Sequence, residues 1–554
     1  MANNNINNDL ILDQNITVII PSAGLVNSAC NYNLAYKDPW FLNIGSSLAI
    51  DEVRKKLKPK IVLAVKSTKN KFFKLKPFSN IQLVEVGDTK NITETIKITL
   101  KFIETEWCLI NQITTIPISN DFSKSFVEFG SSMLPKENWA SLIFNKEGLS
   151  KFFSKVDKNS EGLESYPFTG RIFAKTRDLN CSINELRENQ KNDLSNLAYK
   201  LFNKSKVQIK YNDWLDIGHL ATYPNARTSS INSRFFNKLT YDKNKNIITK
   251  KSKNKKKIDQ EVSFYKTMSK DLKRYFPRIF NIENNKFYSS YEMDYISKPN
   301  LSEIYLFGEI GPNAILRIFN SIESVFKKFY EKQILIEENA NWLYSLKIES
   351  RQIAFEKIIK KSDFNFLRKI YNSDFKVNNY QIPSLSRTFD FLKKELVIFE
   401  KKRPIHIGHG DLCFNNILVD PVYGSINLID PKAEKHFALD KYGLIDSFYD
   451  LSKLNHSIEG LYDSIVNNLF NLKIHDIDNI SFEVYQPKEY EYYKKYFNEI
   501  ISEKRIDNKI LRLLTANLFF NMLPMHVENV EKVISLSLIG SILISQLSMK
   551  EIVL

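Results

Sequence analysis

Cysteine is scarce in this chain. Four of its 554 residues are cysteines, and these show neither C-x-x-C pairing nor the spacing of a metal site. They are Cys30, Cys108, Cys181 and Cys413. The sequence therefore excludes a disulfide framework, and its cysteine usage is typical of a reducing compartment.

Long apolar runs and a secretion signal are also lacking. The amino-terminal residues 1–8 are polar and have no basic flank followed by an apolar core. The apolar stretch Val533–Leu547 is interrupted by serines and is shorter than the roughly 20 residues that a membrane helix needs. We interpret it as a packed terminal helix, and we expect a cytoplasmic protein without a membrane span.

Basic residues are in excess, with a formal net charge of +16. The densest block, Lys250–Lys257, has no interleaved aromatic residues, and no recognisable nucleic-acid module accompanies it. We interpret most of this block as a solvated loop and expect no nucleic-acid partner. The positive field favours anionic substrates such as ATP or sugar phosphates.

The chain is too long for one hydrophobic core. Its 554 residues, of which 43% are hydrophobic and 26% charged, predict two to four folded domains.

The stretch His409–Leu418 reads H-G-D-L-C-F-N-N-I-L and holds side chains that phosphoryl transfer from ATP requires. Asp411 follows a His-Gly turn and can accept a proton from a substrate hydroxyl. Asn416 follows five residues later, and Asp430 ends an apolar run, so both can bind the metal ions that neutralise nucleotide phosphates. This is the spacing of the protein-kinase pattern H-R-D-L-x-x-x-N…D-F-G. The sequence therefore predicts Asp411 as the catalytic residue and Asn416 and Asp430 as metal ligands.

The flanks of this stretch, Ile405–Ile407 and Ile417–Val419, are apolar and β-rich, which predicts a loop held by two short strands. A buried turn in which Asp and Asn only cap the backbone is the competing interpretation. Three metal-competent side chains at kinase spacing disfavour it.

The motif His-Gly-Asp-Leu-x-x-x-Asn-Ile-Leu followed by Ile-Asp resembles the aminoglycoside phosphotransferase and choline kinase group. The segments Tyr449–Leu454 and His456–Asp463 resemble its branch from bacterial capsule and surface-polysaccharide clusters, where the kinase often follows a nucleotidyltransferase-like domain. The resemblance covers residues 229–540. It implies an α+β two-lobed kinase fold, ATP and Mg²⁺ as cofactors, a small-molecule alcohol acceptor, and association with polysaccharide biosynthesis enzymes.

Two strands are predicted around a polar turn in the amino-terminal kinase lobe, Phe235–Tyr241 and Asn246–Lys250. The second resembles the kinase strand whose lysine pairs with the α- and β-phosphates. We assign Lys250 to this role and keep Lys251 as the alternative, because a one-residue register shift exchanges the two faces of a strand.

The helical periodicity of Asp259–Leu272 places Glu261 where the helix-C glutamate of kinases pairs with the strand lysine. Tyr291–Ile296 is interpreted as the strand and hinge that link the two lobes. Backbone groups of Asp294 and Ile296 are predicted to bind the adenine edge.

The carboxy-terminal lobe is predicted to be mainly helical, because apolar residues recur at three- and four-residue steps. The predicted helices are Asn313–Lys332, Leu346–Lys361, Ser384–Lys402, Leu444–Asn455 and segments after Lys488.

The first 200 residues alternate β and α patterns, which predicts a Rossmann-like α/β domain with a parallel sheet. The predicted strands are Asn15–Ile20, Lys60–Val65 and Trp107–Ile110, and the predicted helices are Asp51–Leu57 and Thr93–Glu104.

The segment Ile19–Gly24 resembles the opening loop of sugar-phosphate nucleotidyltransferases. The resemblance implies that backbone amides of Ser22, Ala23 and Gly24 hold nucleotide phosphates. However, the family's second glycine and arginine are missing after Gly24, and Leu109–Thr114 lacks the acidic residue that binds the catalytic metal. We therefore expect a degenerate domain that binds nucleotide, sugar or a partner.

These observations predict a nucleotidyltransferase-like domain (1–203), a connector (204–228), a kinase amino-terminal lobe (229–298) and a kinase carboxy-terminal lobe (299–554). The predicted function is ATP-dependent phosphorylation of a sugar, polyol or amino alcohol in surface-polysaccharide or sugar-nucleotide metabolism. One alternative is a bifunctional kinase and nucleotidyltransferase acting on a choline-like or polyol substrate. The other is a nucleotide-binding pseudo-enzyme scaffold for polysaccharide assembly.

Overall fold

The chain forms two compact units, Met1–Ile231 and Asn232–Leu554. The computed structural model describes residues 15–23, 40, 43–44, 47–69, 71–132, 140–144, 150–153, 165–204, 207–219, 222–223, 226–227, 237–242, 244–331, 334–335, 340–361, 364–378, 380–401, 403–436 and 440–547. The finer domain boundaries given above stay predictions.

The first unit is built on a nine-stranded mixed sheet with helices packed against it. Its strands, some in small additional sheets, are β1 (Ile16–Pro21), β2 (Asn43–Ile44), β3 (Ser47–Leu48), β4 (Lys60–Val65), β5 (Ile81–Glu85), β6 (Trp107–Asn111), β7 (Thr115–Pro117), β8 (Phe126–Gly130), β9 (Ser141–Phe144), β10 (Ser150–Phe153), β11 (Ser165–Lys175), β12 (Gln208–Asn212) and β13 (Trp214–Asp216). Its helices are Ala49–Lys56, Ile92–Leu100, Thr176–Asn184 and Leu194–Lys204, with 3₁₀ turns at Lys71–Lys74, Lys76–Phe78 and Glu188–Gln190.

The centre of this sheet is parallel, in the order β6-β1-β4-β5. Ile19 of β1 lies beside Val62 of β4 on one side and Ile110 of β6 on the other. All six residues of β1 are buried, which explains why the strand has a continuous apolar sequence rather than an alternating one. The predicted parallel α/β arrangement is confirmed for these strands, while β11 adds an antiparallel partner to β6.

The segment predicted as a connector contains β12 and β13. Strand β12 runs parallel to β8, and β13 pairs antiparallel with β7. This part of the chain is therefore integrated into the sheets of the first unit.

The second unit begins with a four-stranded antiparallel sheet and continues with helices and short hairpins. Its strands are β14 (Asn237–Asp242), β15 (Ile247–Ser252), β16 (Ile279–Asn284), β17 (Ser289–Asp294), β18 (Ile334–Leu335), β19 (Phe375–Val377), β20 (Tyr380–Ile382), β21 (Pro404–Ile407), β22 (Ile417–Val419), β23 (Ile426–Leu428), β24 (Lys435–His436), β25 (Lys441–Tyr442), β26 (Leu444–Asp446), β27 (Phe470–Asp476) and β28 (Asn479–Val484). Its helices are Lys255–Thr267, Lys270–Lys273, Leu301–Phe307, Pro312–Tyr330, Ser345–Ile359, Asn365–Asn372, Leu385–Phe399, Ser447–Ile458, Tyr462–Val466, Tyr490–Glu503, Asn508–Met522 and Val530–Ser545, with 3₁₀ turns at Phe414–Asn416 and Leu523–Met525.

The first sheet of this unit has the order β14-β15-β17-β16. The strands predicted around a polar turn are confirmed as β14 and β15, although Phe235 and Phe236 lie outside the described residues. In the central strand β15, Lys250 lies between Leu239 of β14 and Tyr291 of β17.

The helix that carries Glu261 begins earlier than its apolar periodicity predicts, at Lys255 rather than Asp259. The side chain of Asn254 accepts a hydrogen bond from the backbone N–H of Lys257, which caps the helix. The interpretation of most of the basic block as a loop is therefore wrong, since Lys250 and Lys251 lie on β15 and the last three lysines form the first helical turn.

The predicted helical character of the carboxy-terminal part is confirmed, with one boundary shifted. Residues 444–446 form strand β26 beside β21, and the helix Ser447–Ile458 starts after Asp446, whose carboxylate accepts the Phe448 N–H at 2.8 Å. The terminal apolar stretch forms the buried helix Val530–Ser545, as predicted. No helix among the described residues combines the length and apolar character needed to span a membrane.

Candidate functional site

The predicted catalytic residues come together in the second unit through short strands. Strand β21 leads into Asp411, and the hairpin of β22 and β23 returns the chain to Asp430. The side-chain amide of Asn416 donates to the backbone carbonyl of Asp411 at 2.8 Å, and the N–H of Ile429 donates to the Asn416 carbonyl at 3.0 Å. The three segments are thus fixed to one another by direct hydrogen bonds.

The backbone of the turn before Asp411 is hydrogen-bonded to a buried carboxylate. Asp450, on the helix Ser447–Ile458, accepts the backbone N–H groups of His409 and Gly410, each at 2.8 Å. Gly410 has a positive φ of 74°, and a Cβ there would lie 2.9 Å from the Cβ of Lys432, so the turn requires glycine. Burial raises the pKa of Asp450 to about 7, although these two hydrogen bonds oppose the rise.

His409 links the catalytic turn to the strand that carries Asp430. Its Nδ1 accepts the backbone N–H of Asp411 at 3.2 Å, which leaves Nε2 to donate to the carbonyl of Ile429 at 3.0 Å. Burial lowers the pKa of His409 to about 4, so the ring is neutral at physiological pH, as this pattern of donor and acceptor requires.

Asp411 is poised as an ionised and accessible carboxylate. Its Oδ1 lies 2.9 Å from the Nζ of Lys453, and 37% of its side chain is exposed. Burial acts to raise the pKa of Asp411, but the Lys453 ammonium outweighs it and holds the pKa below its usual range. The group can therefore accept a hydrogen bond, and then a proton, from a bound hydroxyl.

Lys250 is the centre of a buried ion network. Its Nζ lies 2.7 Å from Glu261 Oε2 and 2.7 Å from Asp430 Oδ1, and the residue is only 5% exposed. Glu261 is also fixed by the Tyr291 hydroxyl, which donates at 2.9 Å. Lys251 points to the other face of β15, with its Nζ 3.3 Å from the ring centre of Tyr288. Of the two candidate lysines, the structure places Lys250 beside Asp430.

Asp430 and Asn416 offer the oxygen donors that magnesium prefers. Asp430 has a left-handed backbone with φ of 55°, and 51% of its side chain is exposed although one oxygen binds Lys250. Burial acts to raise the pKa of Asp430, but Lys250 outweighs it and holds the carboxylate ionised. The Asn416 amide nitrogen faces Asp411, which leaves the amide oxygen for a cation.

The described residues hold no group of three or more His, Cys, Asp or Glu side chains arranged for a metal ion. A magnesium ion carried by nucleotide phosphates needs only one or two protein ligands, so the pair of Asn416 and Asp430 fits such an ion.

The predicted hinge lies at the end of β17. The backbone N–H of Asp294 donates to the Arg278 carbonyl at 3.1 Å, and its carboxylate pairs with Arg278 Nε at 2.7 Å. The carbonyl of Ile296 accepts the Lys298 N–H at 2.9 Å. The N–H of Asp294 and the carbonyl of Ile296 therefore bind backbone groups of the protein itself, and contact of this segment with an adenine ring stays a prediction.

In the first unit, the predicted nucleotide loop is described only at its start. The N–H of Ser22 donates to the Ala64 carbonyl at 2.8 Å, so it extends the sheet instead of facing a phosphate. Ala23 follows in a bend, and Gly24 lies outside the described residues. At the end of β6, Asn111 is fully buried, and its amide donates to the carbonyls of Gln112 and Thr115 at 3.0 Å each.

The first unit also contains a buried ion pair that sequence reasoning did not find. Arg171 Nη1 lies 2.9 and 2.8 Å from the two carboxylate oxygens of Glu128, and both side chains are at most 1% exposed. Asn212 donates to the same carboxylate at 2.6 Å, and Arg171 Nη2 donates to Asn120. The single glutamate inside the apolar sequence of β8 could have indicated this ion pair, because a glutamate is rarely buried in a strand unless it has a charged partner.

Lys453 is a second residue that sequence reasoning missed. It lies three residues after Asp450 on the same helix, so both face the catalytic turn one helical turn apart. Helical spacing from Asp450 was the signal that could have identified it.

No protein-family model and no curated protein matches the sequence. Similar solved structures include the ADP-bound aminoglycoside phosphotransferase APH(2'')-Ib, with 11% identity, 56% of this chain and 92% of that chain covered, and a TM-score of 0.33. UDP-glucose pyrophosphorylase complexed with UDP-glucose has 15% identity, coverage of 38% and 97%, and a TM-score of 0.30. The bifunctional IspDF from Campylobacter jejuni has 12% identity, coverage of 56% and 71%, and a TM-score of 0.27. Structural neighbours thus include a phosphotransferase and nucleotidyltransferases, but at these TM-scores the likeness carries no functional argument. A functional argument has to come from the geometry of the site.

Proposed function

We propose that the second unit transfers the γ-phosphoryl group of ATP to a hydroxyl of a small molecule. The observation that carries the proposal is the ion network in which buried Lys250 joins Glu261 to Asp430, beside the accessible carboxylate of Asp411. Phosphoryl transfer uses a fixed lysine at the phosphates, an exposed carboxylate for the metal ion and a carboxylate that accepts the hydroxyl proton. Lys250, Asp430 and Asp411 offer these three groups.

In the proposed reaction the acceptor hydroxyl binds to Asp411, which takes its proton as the oxygen attacks the γ-phosphorus. The new bond joins the acceptor oxygen to phosphorus, the bond between the γ-phosphorus and the β,γ-bridging oxygen breaks, and ADP leaves. Lys453 keeps Asp411 ionised beforehand, and the proton passes to solvent after the product departs.

Lys250 contacts the α- and β-phosphates, and Glu261 orients it. Asn416 and Asp430 would hold Mg²⁺, which supplies positive charge to the phosphate oxygens when bound. The backbone N–H of Ile296 binds the adenine edge, and Asp294 fixes the end of β17 through Arg278.

The resemblance of the catalytic motif supports a sugar, polyol or amino alcohol as acceptor, in surface-polysaccharide or sugar-nucleotide metabolism. The first unit is proposed to bind a nucleotide, a sugar or a partner enzyme of that metabolism without catalysing nucleotidyl transfer. Buried Asn111, a neutral side chain at the end of β6 where the resembled family has an acidic metal ligand, supports this part of the proposal.

Calorimetric titration of the full chain with ATP tests the proposal, in the presence and absence of Mg²⁺. Asp430→Ala is expected to abolish the magnesium-dependent part of binding, while Asp440→Ala, at a side chain that is 80% exposed, should bind as the wild type does. Equal binding by the wild type and Asp430→Ala would refute the metal role. Magnesium-dependent ATP binding without turnover on sugars, polyols or amino alcohols would favour a scaffold.

A further inference from the structure

Three lysines lie close together beside the catalytic turn. Lys347 comes from the helix Ser345–Ile359, Lys432 follows Asp430 by two residues, and Lys453 lies on the helix Ser447–Ile458. All three lie near the buried ring of Tyr449. We call Lys347, Lys432, Lys453 and Tyr449 together the lysine cluster. Tyr449 and Lys453 lie one helical turn apart, whereas Lys347 is 102 residues from Tyr449 and is brought to it by the fold.

Tyr449 and Asp411 connect the members of the lysine cluster. Lys347 Nζ donates to the Tyr449 hydroxyl at 2.6 Å, and Lys432 Nζ lies 5.8 Å from the ring centre of Tyr449. Lys453 Nζ connects the cluster to the catalytic turn through Asp411 Oδ1, at 2.9 Å. The cluster is thus contiguous with the group proposed to accept the hydroxyl proton.

Positive charge in this cluster exceeds the negative charge that faces it. Lys453 pairs with Asp411, and Lys432 lies 3.3 Å from Glu434, which is itself 63% exposed. Within the described residues Lys347 makes no ion pair with a carboxylate, and its partner is the phenol of Tyr449. Three ammonium groups held this close repel one another, and a partly desolvated site makes that repulsion stronger than it is in water.

The ionisation of the cluster agrees with this geometry. Burial acts to raise the pKa of the Tyr449 phenol, but the three ammonium groups outweigh it and lower the pKa to about 8. Burial lowers the pKa of Lys347, and the charges of Lys432 and Lys453 act in the same direction. The three lysines outnumber the two carboxylates that pair with them, and a bound anion would offset their mutual repulsion.

We propose that the lysine cluster binds an oxyanion of the acceptor, so that the substrate is an alcohol that carries a phosphate or carboxylate group. This inference rests on the proposed kinase function and narrows its acceptor class. Lysine ammonium groups form charge-assisted hydrogen bonds with phosphate and carboxylate oxygens. A cationic acceptor such as choline or an aminoglycoside would meet repulsion at the same place.

The first test measures anion binding directly in the full chain. With Mg²⁺ and a non-hydrolysable ATP analogue saturating the nucleotide site, inorganic phosphate is titrated into the wild type, Lys347→Gln and Lys357→Gln. Lys357 lies on the same helix, is exposed and is the matched control. Saturable phosphate binding is expected in the wild type and in Lys357→Gln, with affinity about tenfold or more lower in Lys347→Gln.

The second test compares acceptors of matched skeleton in steady-state assays with ATP and Mg²⁺. Glycerol, glycerate and glycerol 3-phosphate form one series, mannose and mannose 6-phosphate form another, and choline is the cationic member. The proposal expects higher kcat/KM for the anionic members, with the carboxylate and phosphate arms telling which oxyanion fits better. Lys347→Gln should raise KM for the anionic acceptor and leave KM for ATP unchanged.

The outcomes separate this inference from the proposed function. If the nucleotide analogue and Mg²⁺ do not bind, the kinase proposal fails and the acceptor proposal fails with it. If they bind but phosphate does not, or if Lys347→Gln and Lys357→Gln bind it equally, only the acceptor proposal fails. Competition between phosphate and the analogue would assign the cluster to the γ-phosphate of ATP and overturn the acceptor proposal. Preference for neutral or cationic acceptors would overturn it also.

Discussion

The two units use similar charged side chains in opposite ways. In the second unit, Lys250 is buried, but 51% of the side chain of its partner Asp430 is exposed, as is 37% of that of nearby Asp411. In the first unit, Arg171 and Glu128 are both at most 1% exposed. A charged side chain that is held by one partner and still partly exposed can bind a substrate. A fully buried ion pair cannot contact a substrate and can only support the fold.

Burying the Arg171–Glu128 ion pair costs free energy, and hydrogen bonds from neighbouring side chains reduce that cost. Removing a guanidinium and a carboxylate from water costs several kcal/mol for each ion, and the pair is tolerated only when the remaining hydrogen-bonding groups are satisfied. Asn120 and Asn212 provide such partners here. The first unit therefore holds the Arg171–Glu128 ion pair fully buried in the sheet, while in the second unit the carboxylates of Asp411 and Asp430 stay partly exposed.

The largest expected effect is on turnover and comes from the open site. Asp411→Asn removes the group that accepts the hydroxyl proton but keeps its size, so turnover should fall on the order of 10²- to 10⁴-fold while the protein stays folded. Steady-state assays with ATP and the acceptor, together with circular dichroism, measure this. Asp440→Asn is the control, and near-normal turnover by Asp411→Asn would show that the catalytic turn is wrongly assigned.

The catalytic turn could be predicted from the sequence because its parts are close in the chain and their spacing is fixed by a hairpin. Asp411, Asn416 and Asp430 all lie within twenty residues or so, on and between the strands β21, β22 and β23, and the structure brings these segments together. Their chemical roles stay predictions until they are measured.

Other parts of the site could not be predicted, for two physical reasons. A strand exposes alternate residues to opposite faces, so the choice between Lys250 and Lys251 depends on a register that pairing with β14 and β17 determines. Lys347 and Lys453 meet near Tyr449 only because two helices that are distant in the sequence pack together. Periodicity indicates which face of each helix is apolar, but it does not indicate which helices become neighbours.

The next largest effect is on the stability of the closed pair. Arg171→Met leaves the Glu128 carboxylate buried without its partner, which should reduce the free energy of unfolding by about 3–5 kcal/mol. Urea titration followed by circular dichroism measures the change. Arg177→Met, at a side chain that is 83% exposed, should have almost no effect.

A double variant sharpens this prediction. Glu128→Leu combined with Arg171→Met removes both charges, so it should be more stable than Arg171→Met alone. A double variant less stable than the single one would show that the ion pair is not the main contribution of these side chains.

A smaller effect separates the two neighbouring lysines of β15. Lys250→Ala should lower kcat/KM for ATP about tenfold to a hundredfold, because it removes a positioned charged hydrogen-bond donor. Lys251→Ala should be close to the wild type, since Lys251 faces Tyr288. Initial rates at varied ATP and fixed acceptor measure both variants. Equal losses would indicate a general effect of positive charge rather than a fixed contact.

A still smaller effect concerns the pH dependence of the open site. Lys453 holds the pKa of Asp411 below its usual range, so the base stays ionised and active as the pH falls. Removing that ammonium in Lys453→Gln should raise the pKa of Asp411, and the acid limb of the kcat/KM profile should move to higher pH. Lys453→Arg keeps the charge and should keep the limb near its wild-type position. An acid limb that does not move in Lys453→Gln would mean that another group controls it.

The last prediction expects no measurable activity: the first unit should not catalyse nucleotidyl transfer. Charge develops on the attacked α-phosphate in that reaction, and a carboxylate-bound Mg²⁺ normally stabilises it. At the end of β6 the chain offers the neutral Asn111, whose uncharged side chain holds a hard cation less well than a carboxylate does. Two other acidic side chains of this unit, Asp88 and Asp121, pair with Lys66 and Lys210.

The full chain should therefore release no pyrophosphate above background from CTP, UTP, GTP or dTTP with sugar phosphates or phosphocholine. A coupled pyrophosphate assay measures this, and ATP binding by the same preparation shows that the protein is folded. Because Asn111 brings no negative charge to the end of β6, adding Mg²⁺ or Mn²⁺ should change nothing. Metal-dependent release with any one of these nucleotides would remove the contrast between the units and establish a bifunctional enzyme.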